Sequence, residues 1–162
     1  MSDTYSFTLI TAHLKSRRPL AEADEAEMRE QEALVLRGLI DARLQANPKL
    51  NLVVLGDFND VKDTKSTRAV LGRGKTALFD TRPAERNGDN LPNPNPRYEP
   101  RNITWTHYYG KEDSYQRIDY LLLSPGLARE WNPDDTHILT LPNWGAGSDH
   151  RPIVAGFVAE ER

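Results

Sequence analysis

Leu50-Asn51-Leu52-Val53-Val54-Leu55-Gly56-Asp57-Phe58-Asn59 is the stretch on which the fold turns. A short, nearly continuous apolar run reads as a central strand covered on both faces, because a strand with one wet face alternates instead. Gly56 lets the backbone turn sharply where the run ends. Asp57 and Asn59 are two apart, so in extended backbone both side chains emerge on the same face. A carboxylate at that position accepts a proton, and an amide beside it both donates and accepts hydrogen bonds. The competing reading is an ordinary strand end followed by an Asx turn.

Upstream, Phe7 to Ala12 is rich in β-formers and reads as a strand delivering His13. Pro19 then opens a helix from about Ala21 to Gln45, with Glu22, Asp24, Glu25 and Glu27 complementing the positive end of its dipole. Met28, Val35, Leu36, Leu39, Ile40 and Leu44 form its expected buried stripe, and Asn47-Pro48 stops it. Downstream, a short helix is expected from Thr64 to Leu71, closed by Gly72, and a brief strand from Ala77 to Asp80. Residues 82–102 hold five prolines and several asparagines with no usable period, a loop long enough to shape a site. Ile103 to Tyr109, Arg117 to Leu123, Thr136 to Leu141 and Pro152 to Val158 read as four more strands. The order β-α-β-α followed by a strand-rich tail predicts an α/β (α+β) layered architecture, with residues 1–162 forming a single domain.

Composition narrows the chemistry. With 162 residues, 38% apolar and 28% charged, the chain suits a globular domain with a sizeable core. No apolar stretch approaches the roughly 20 residues of a membrane-spanning helix. Met1-Ser2-Asp3-Thr4 has neither a basic leader nor an apolar signal core, which makes the cytoplasm the default compartment. Cysteine is absent, so a metal site must use carboxylate, amide, imidazole or water, favouring Mg²⁺, Mn²⁺ or Ca²⁺. A formal net charge of -3 argues against strong non-specific nucleic-acid binding. Lys15, Arg17 and Arg18 form one local basic patch, read either as phosphate steering or as a solvated turn.

Three further polar motifs stand at the ends of apolar runs: Thr11-Ala12-His13-Leu14-Lys15-Ser16, Arg117-Ile118-Asp119-Tyr120 and Gly147-Ser148-Asp149-His150-Arg151-Pro152. Asp149 and His150 are adjacent, so they serve different partners. Histidine titrates near neutrality and suits acid–base work, provided that a carboxylate fixes its other nitrogen. Asp119 is the natural candidate for that carboxylate, against the alternative of a strand-edge ion pair with Arg117. His107 and His137 are expected to be structural, and Trp105, Tyr108 and Tyr109 to be packing. Trp144, just before Asp149, either packs or stacks on a base or sugar.

In order and spacing, these four motifs resemble the endonuclease/exonuclease/phosphatase superfamily of metal-dependent phosphoesterases, from His13 to Phe157. The resemblance implies hydrolysis of a phosphodiester or phosphomonoester by in-line attack of water, with DNA or RNA as the leading substrate class. It implies that Asp57 orients the water, Asn59 contacts phosphoryl oxygens and Asp119 pairs with His150. By the same resemblance, Asp149 and Asp57 bind a divalent cation, Mg²⁺ or Mn²⁺, and His13 approaches the phosphate from the other side. Beside these, the basic patch and the pre-Asp149 turn make Lys15, Arg17 and Trp144 the candidate substrate contacts.

Superfamily members open with an Asn-bearing strand and a Glu that is the principal metal ligand, both far upstream of the His-bearing strand. Only twelve residues precede His13 here. The resemblance therefore implies the C-terminal part of a four-layer αββα sandwich with mixed, largely antiparallel sheets, truncated at its N-terminus and impaired in activity. The alternative is a catalytically silent fragment that at most binds phosphate or self-associates. A half-sandwich is expected to leave apolar surface of Leu50 to Leu55 and Ile153 to Val158 to water, favouring a homo-oligomer.

Overall fold

A computed structural model describes residues 5–86, 94, 95, 97 and 102–159. At its centre lies the strand β2 (Leu52–Asp57), in a sheet of order β1-β2-β6-β3 with β1 at Thr8–Thr11, β6 at Asp119–Leu123 and β3 at Phe79–Asp80. β1 runs parallel to β2, from Thr8 opposite Leu52 to Thr11 opposite Leu55. A parallel pair needs a crossover, which contains the helix α1 (Glu25–Ala46). β6 is antiparallel to both β2 and β3, so the sheet is mixed. The helix α2 (Lys65–Leu71) packs on α1. Two antiparallel ribbons complete the chain: β4 (His107–Tyr109) with β5 (Ser114–Gln116), and β7 (Trp131–Ile138) with β8 (Ile153–Phe157).

Burial explains the unbroken apolar run of β2. Leu52, Val54 and Leu122 pack with Ala33, Leu36, Ile40 and Leu44 of α1 and Val70 of α2. Val53, Leu121 and Leu123 pack instead with Leu127, Trp131, Ile153 and Ala155. The expected uncovered surface on the Leu50 to Leu55 run is thus not found: Leu52, Val53 and Val54 are all buried. Exposure moves to the flanks, at Leu9 and Phe79, and to Val154, Phe157 and Val158 near the chain's end.

α1 begins at Glu25 rather than Ala21, because Asp24 caps it by accepting from the Ala26 and Glu27 amides. Such a cap is worth about 1 kcal/mol and sets the first turn more firmly than Pro19 upstream. The buried stripe also differs: it comprises Arg29, Ala33, Leu36, Arg37, Ile40 and Leu44, while Met28, Val35 and Leu39 are exposed. Two arginines occupy the stripe because each finds buried partners. Arg29 Nε donates to Asp60 Oδ2 at 3.0 Å, and Arg37 donates to Asp41 and to the Val70 carbonyl. Burial works to raise the Asp60 pKa, but hydrogen bonds from Ser66 and Arg29, with the charges of Arg29 and Arg17, hold it below the usual carboxylate value.

Further differences concern the strand-rich tail. Strand pairing over 103–109 covers only His107–Tyr109, which turns back as a hairpin into Ser114–Gln116. β7 starts five residues earlier than expected, at Trp131, and carries a register shift between Asn132 and His137. Most of the Pro/Asn-rich segment 82–102 lies outside the described residues.

Candidate functional site

Asp57 closes β2 and Asp119 opens the antiparallel β6, so the ladder sets the two carboxylates directly opposite each other. Like charges in that relation are destabilising unless something intervenes. His150 does. Its Nδ1 lies 2.8 Å from Asp119 Oδ2, and its Nε2 lies 3.8 Å from Asp57 Oδ2. Arg117, the competing partner for Asp119, is engaged elsewhere, in a two-pronged pair with Asp80 at 2.8 and 2.7 Å.

The remaining expected residues reach the same rim by different routes. The Ala12 amide donates to the Leu55 carbonyl and the Leu14 amide to that of Asp57, carrying β1's extension alongside the end of β2. His13 Nε2 thereby comes within 3.6 Å of Asp57 Oδ2, with its side chain 74% exposed. Asn59 adopts a left-handed backbone, φ 52°, a conformation that asparagine tolerates. Its amide N–H donates to Asp57 Oδ1 at 2.7 Å and its side-chain Nδ2 to the Leu14 carbonyl at 2.9 Å. The Asx turn and the clustering of Asp57 with Asn59 are therefore both present in one structure.

Arg17 and Lys15 are engaged within the chain. Arg17 donates to the Asn59 carbonyl (2.9 Å), Gln116 Oε1 (2.6 Å) and Asp60 Oδ1 (3.1 Å), clasping the Asn59 turn to β5. Lys15 Nζ folds back onto Ser16 and the Arg18 carbonyl. Trp144 lies on a short 3₁₀ turn, its ring 5.5 Å from that of Trp105, which also contacts Tyr115. Asp149 is 75% exposed.

Two further residues bear on the rim. His107, expected to be structural, packs against His150 with ring centroids 4.7 Å apart and the ring planes tilted by 42°, its Nε2 3.6 Å from Asp149 Oδ2. Arg151 is buried, pairs with Glu85, donates to the Trp105 carbonyl and lies 4.0 Å over the Trp105 ring. It anchors the segment that presents Asp149 and His150. His107 carries no local signal; only the bridge between β4 and residue 150 places it. Arg151 could be suspected from its place in the Ser148-to-Pro152 motif. His137, by contrast, lies on β7 with Nδ1 buried.

Electrostatics differ between the groups that meet here. Burial pushes the Asp57 carboxyl up; the Asn59 amide, His150 and His13 pull against it, while Asp119 adds to it. The hydrogen bond to Asp119 raises His150, outweighing burial, with the charges of Asp119, Asp57 and Asp149 adding to the rise. His150 therefore retains its proton above the ordinary histidine range. Its contribution to stability is full below about pH 6.5 and is lost as pH rises through the higher folded value. An NMR titration is expected to place the His150 midpoint above 6.5, and Asp119→Asn is expected to move it down. An unmoved midpoint in that variant would remove Asp119 as the cause.

The profile of the Endonuclease/Exonuclease/phosphatase family matches residues 10–150, and the chain belongs to that family. None of the curated protein sequences compared with the chain matches it. Solved structures with the same fold include a 3′ phosphatase from Neisseria bound to product DNA hairpin (TM-score 0.59, 19% identity, covering 93% of this chain and 60% of that one). Another is the catalytic domain of human nocturnin with bound sulfate (0.57, 19%, 97% and 49%). A third is a mannosyl-6-phosphatase from Bacteroides thetaiotaomicron (0.54, 18%, 95% and 52%). The chain thus spans about half the length of these neighbours. No helix among the described residues is long and apolar enough to cross a membrane.

Proposed function

We propose that the rim hydrolyses a phosphate ester, with a phosphodiester of nucleic acid as the leading substrate, by in-line attack of water. The observation that carries this reading is the Asp119–His150–Asp57 line at the strand ends, with Asn59 and His13 beside it. Asp57 accepts a proton from the attacking water at Oδ2, and the burial that raises its pKa makes it a better base than an exposed carboxylate. His150 donates its Nδ1–H to Asp119, and in its protonated form offers Nε2–H to a phosphoryl oxygen. Asp119 fixes the orientation of the ring and stabilises the imidazolium. The second N–H of the Asn59 amide and the exposed His13 ring supply further donors to the phosphate.

A divalent cation fits the donors present. Asp57 would hold it through a hard carboxylate oxygen, in a group where it, Asp119 and His150 each bring a ligand atom within 4.8 Å of the others, with water and substrate phosphate completing the set; Asp149 falls instead with His107 and His150. When bound, Mg²⁺ or Mn²⁺ neutralises charge developing on the phosphoryl and leaving oxygens. The nuclease reading is supported by Trp105, Tyr115 and Trp144, an aromatic group on which a base or sugar could stack.

Bis(p-nitrophenyl) phosphate and a short oligonucleotide, each with Mg²⁺ or Mn²⁺ and then with chelator, test the reaction. Turnover is expected only with the cation. Chelator-resistant turnover would defeat the metal-dependent mechanism.

The second reading, a silent module that self-associates, is favoured by the apolar side chains at the flanks of the central sheet. Leu9 and Phe79 are 50% and 42% exposed, in one line with the buried Val53 and Leu123. At about 25 cal/mol per Å², covering a few hundred Å² of such surface in a second copy gains several kcal/mol before association costs. Sedimentation across a concentration series is expected to show a dimer. A strict monomer at all concentrations rules it out.

A further inference from the structure

We propose that His107, Asp149 and His150 form a second cation site, one that takes a borderline transition-metal ion such as Zn²⁺ in preference to Mg²⁺. One ligand atom from each residue lies within 4.8 Å of the other two. His107 Nε2 and Asp149 Oδ2 are 3.6 Å apart. Ligand atoms at about 2.0–2.1 Å from a tetrahedral Zn²⁺ stand roughly 3.3 Å from one another, so small side-chain rotations close the site. Two imidazoles and one carboxylate favour Zn²⁺, Co²⁺ or Ni²⁺, whereas Mg²⁺ demands near-octahedral oxygen.

The arrangement is organised before any ion arrives. Residues 107 and 150 face each other across an antiparallel bridge, flanked by the Tyr108 amide donating to the Asp149 carbonyl and the Arg151 amide to that of Thr106. Asp119 holds Nδ1 of His150, leaving Nε2 for a ligand. This is the carboxylate–histidine–metal relay that orients ligating histidines and raises their basicity. The His107 ring, only 20% exposed, makes no hydrogen bond among the described residues, and its Nε2 faces Asp149 Oδ2 at 3.6 Å. A 75% exposed Asp149 leaves an entry path open, and a water would complete a tetrahedral set.

The site shares Asp149 and His150 with the hydrolytic reading, but binding is independent of turnover and is measured without substrate. Zn²⁺ is titrated into the 162-residue chain against a chromogenic chelator, in excess Mg²⁺, and Co²⁺ absorption reports tetrahedral coordination. The chain is expected to bind a single Zn²⁺ that Mg²⁺ does not displace. His107→Phe, which keeps the packed ring and removes its nitrogens, is expected to weaken binding at least ~10-fold. Asp149→Asn, at an exposed position that carries little folding risk, is expected to do the same. His13→Ala and His137→Ala are expected to leave the affinity unchanged. Absence of Zn²⁺ binding, full affinity in both His107→Phe and Asp149→Asn, or an equal loss in His13→Ala would overturn the proposal, the last by placing the ion on the Asp57 side.

Discussion

His150→Ala and Asp57→Ala are each expected to lower kcat on a phosphodiester at least ~10²-fold, the scale of removing a positioned acid–base group. The loss should fall on kcat more than KM, because both groups act on charge and protons that develop during attack. His150→Ala also removes the imidazole that separates the facing Asp57 and Asp119 carboxylates. Ionising both then becomes harder, and the pH dependence of the residual rate is expected to shift to higher pH. The double variant should lose less than the product of the single losses, since the two residues serve one line of proton and charge transfer. A His150→Ala enzyme with unaltered kcat would disconnect this line from the chemistry.

How much of this was legible in the residues depends on whether the signal is local. The two-sided burial of β2 could be read because Leu52, Val53 and Val54 are consecutive and apolar. Convergence of the four motifs was expected from their positions at strand ends, and the ladder sets two of them, at Asp57 and Asp119, opposite each other. What could not be read was pairing between distant segments. Arg29 and Arg37 look like solvent-facing charges until Asp60 and the carbonyls of α2 are in place. His107 looks like any histidine in an aromatic strand until the bridge to His150 aims it at Asp149. Arg17 could be read as a phosphate contact because nothing in the motif announces Gln116 and the Asn59 carbonyl as its partners. Hydrophobic periodicity also misplaced Met28, Val35 and Leu39, since it ranks faces by apolarity and cannot see a buried charge that has found its counter-charge.

The sharpest link between fold and site is Gly56. Its backbone sits at φ 134°, a region that side-chain-bearing residues scarcely enter. A Cβ built there would lie 2.0 Å from the Ala12 carbonyl oxygen and 3.0 Å from its carbon, both backbone atoms that no rotamer change can move. Two contributions therefore add in Gly56→Ala: the dihedral strain, and the displacement of β1's extension, which is bonded to β2 through the Ala12 amide and Leu55 carbonyl. Together they should destabilise the domain by at least about 3 kcal/mol. For a chain of this length that corresponds to a fall in Tm of about 6–12 °C. The damage should also reach function in molecules that remain folded, because Ala12 directly precedes His13, whose Nε2 sits 3.6 Å from Asp57. Thermal melts of the variant, with the His13 and His150 ring resonances followed by NMR below the transition, check both parts. A Tm within a degree or two of the parent would mean that the strand ends can separate cheaply, and the close approach that builds this rim would then not depend on glycine.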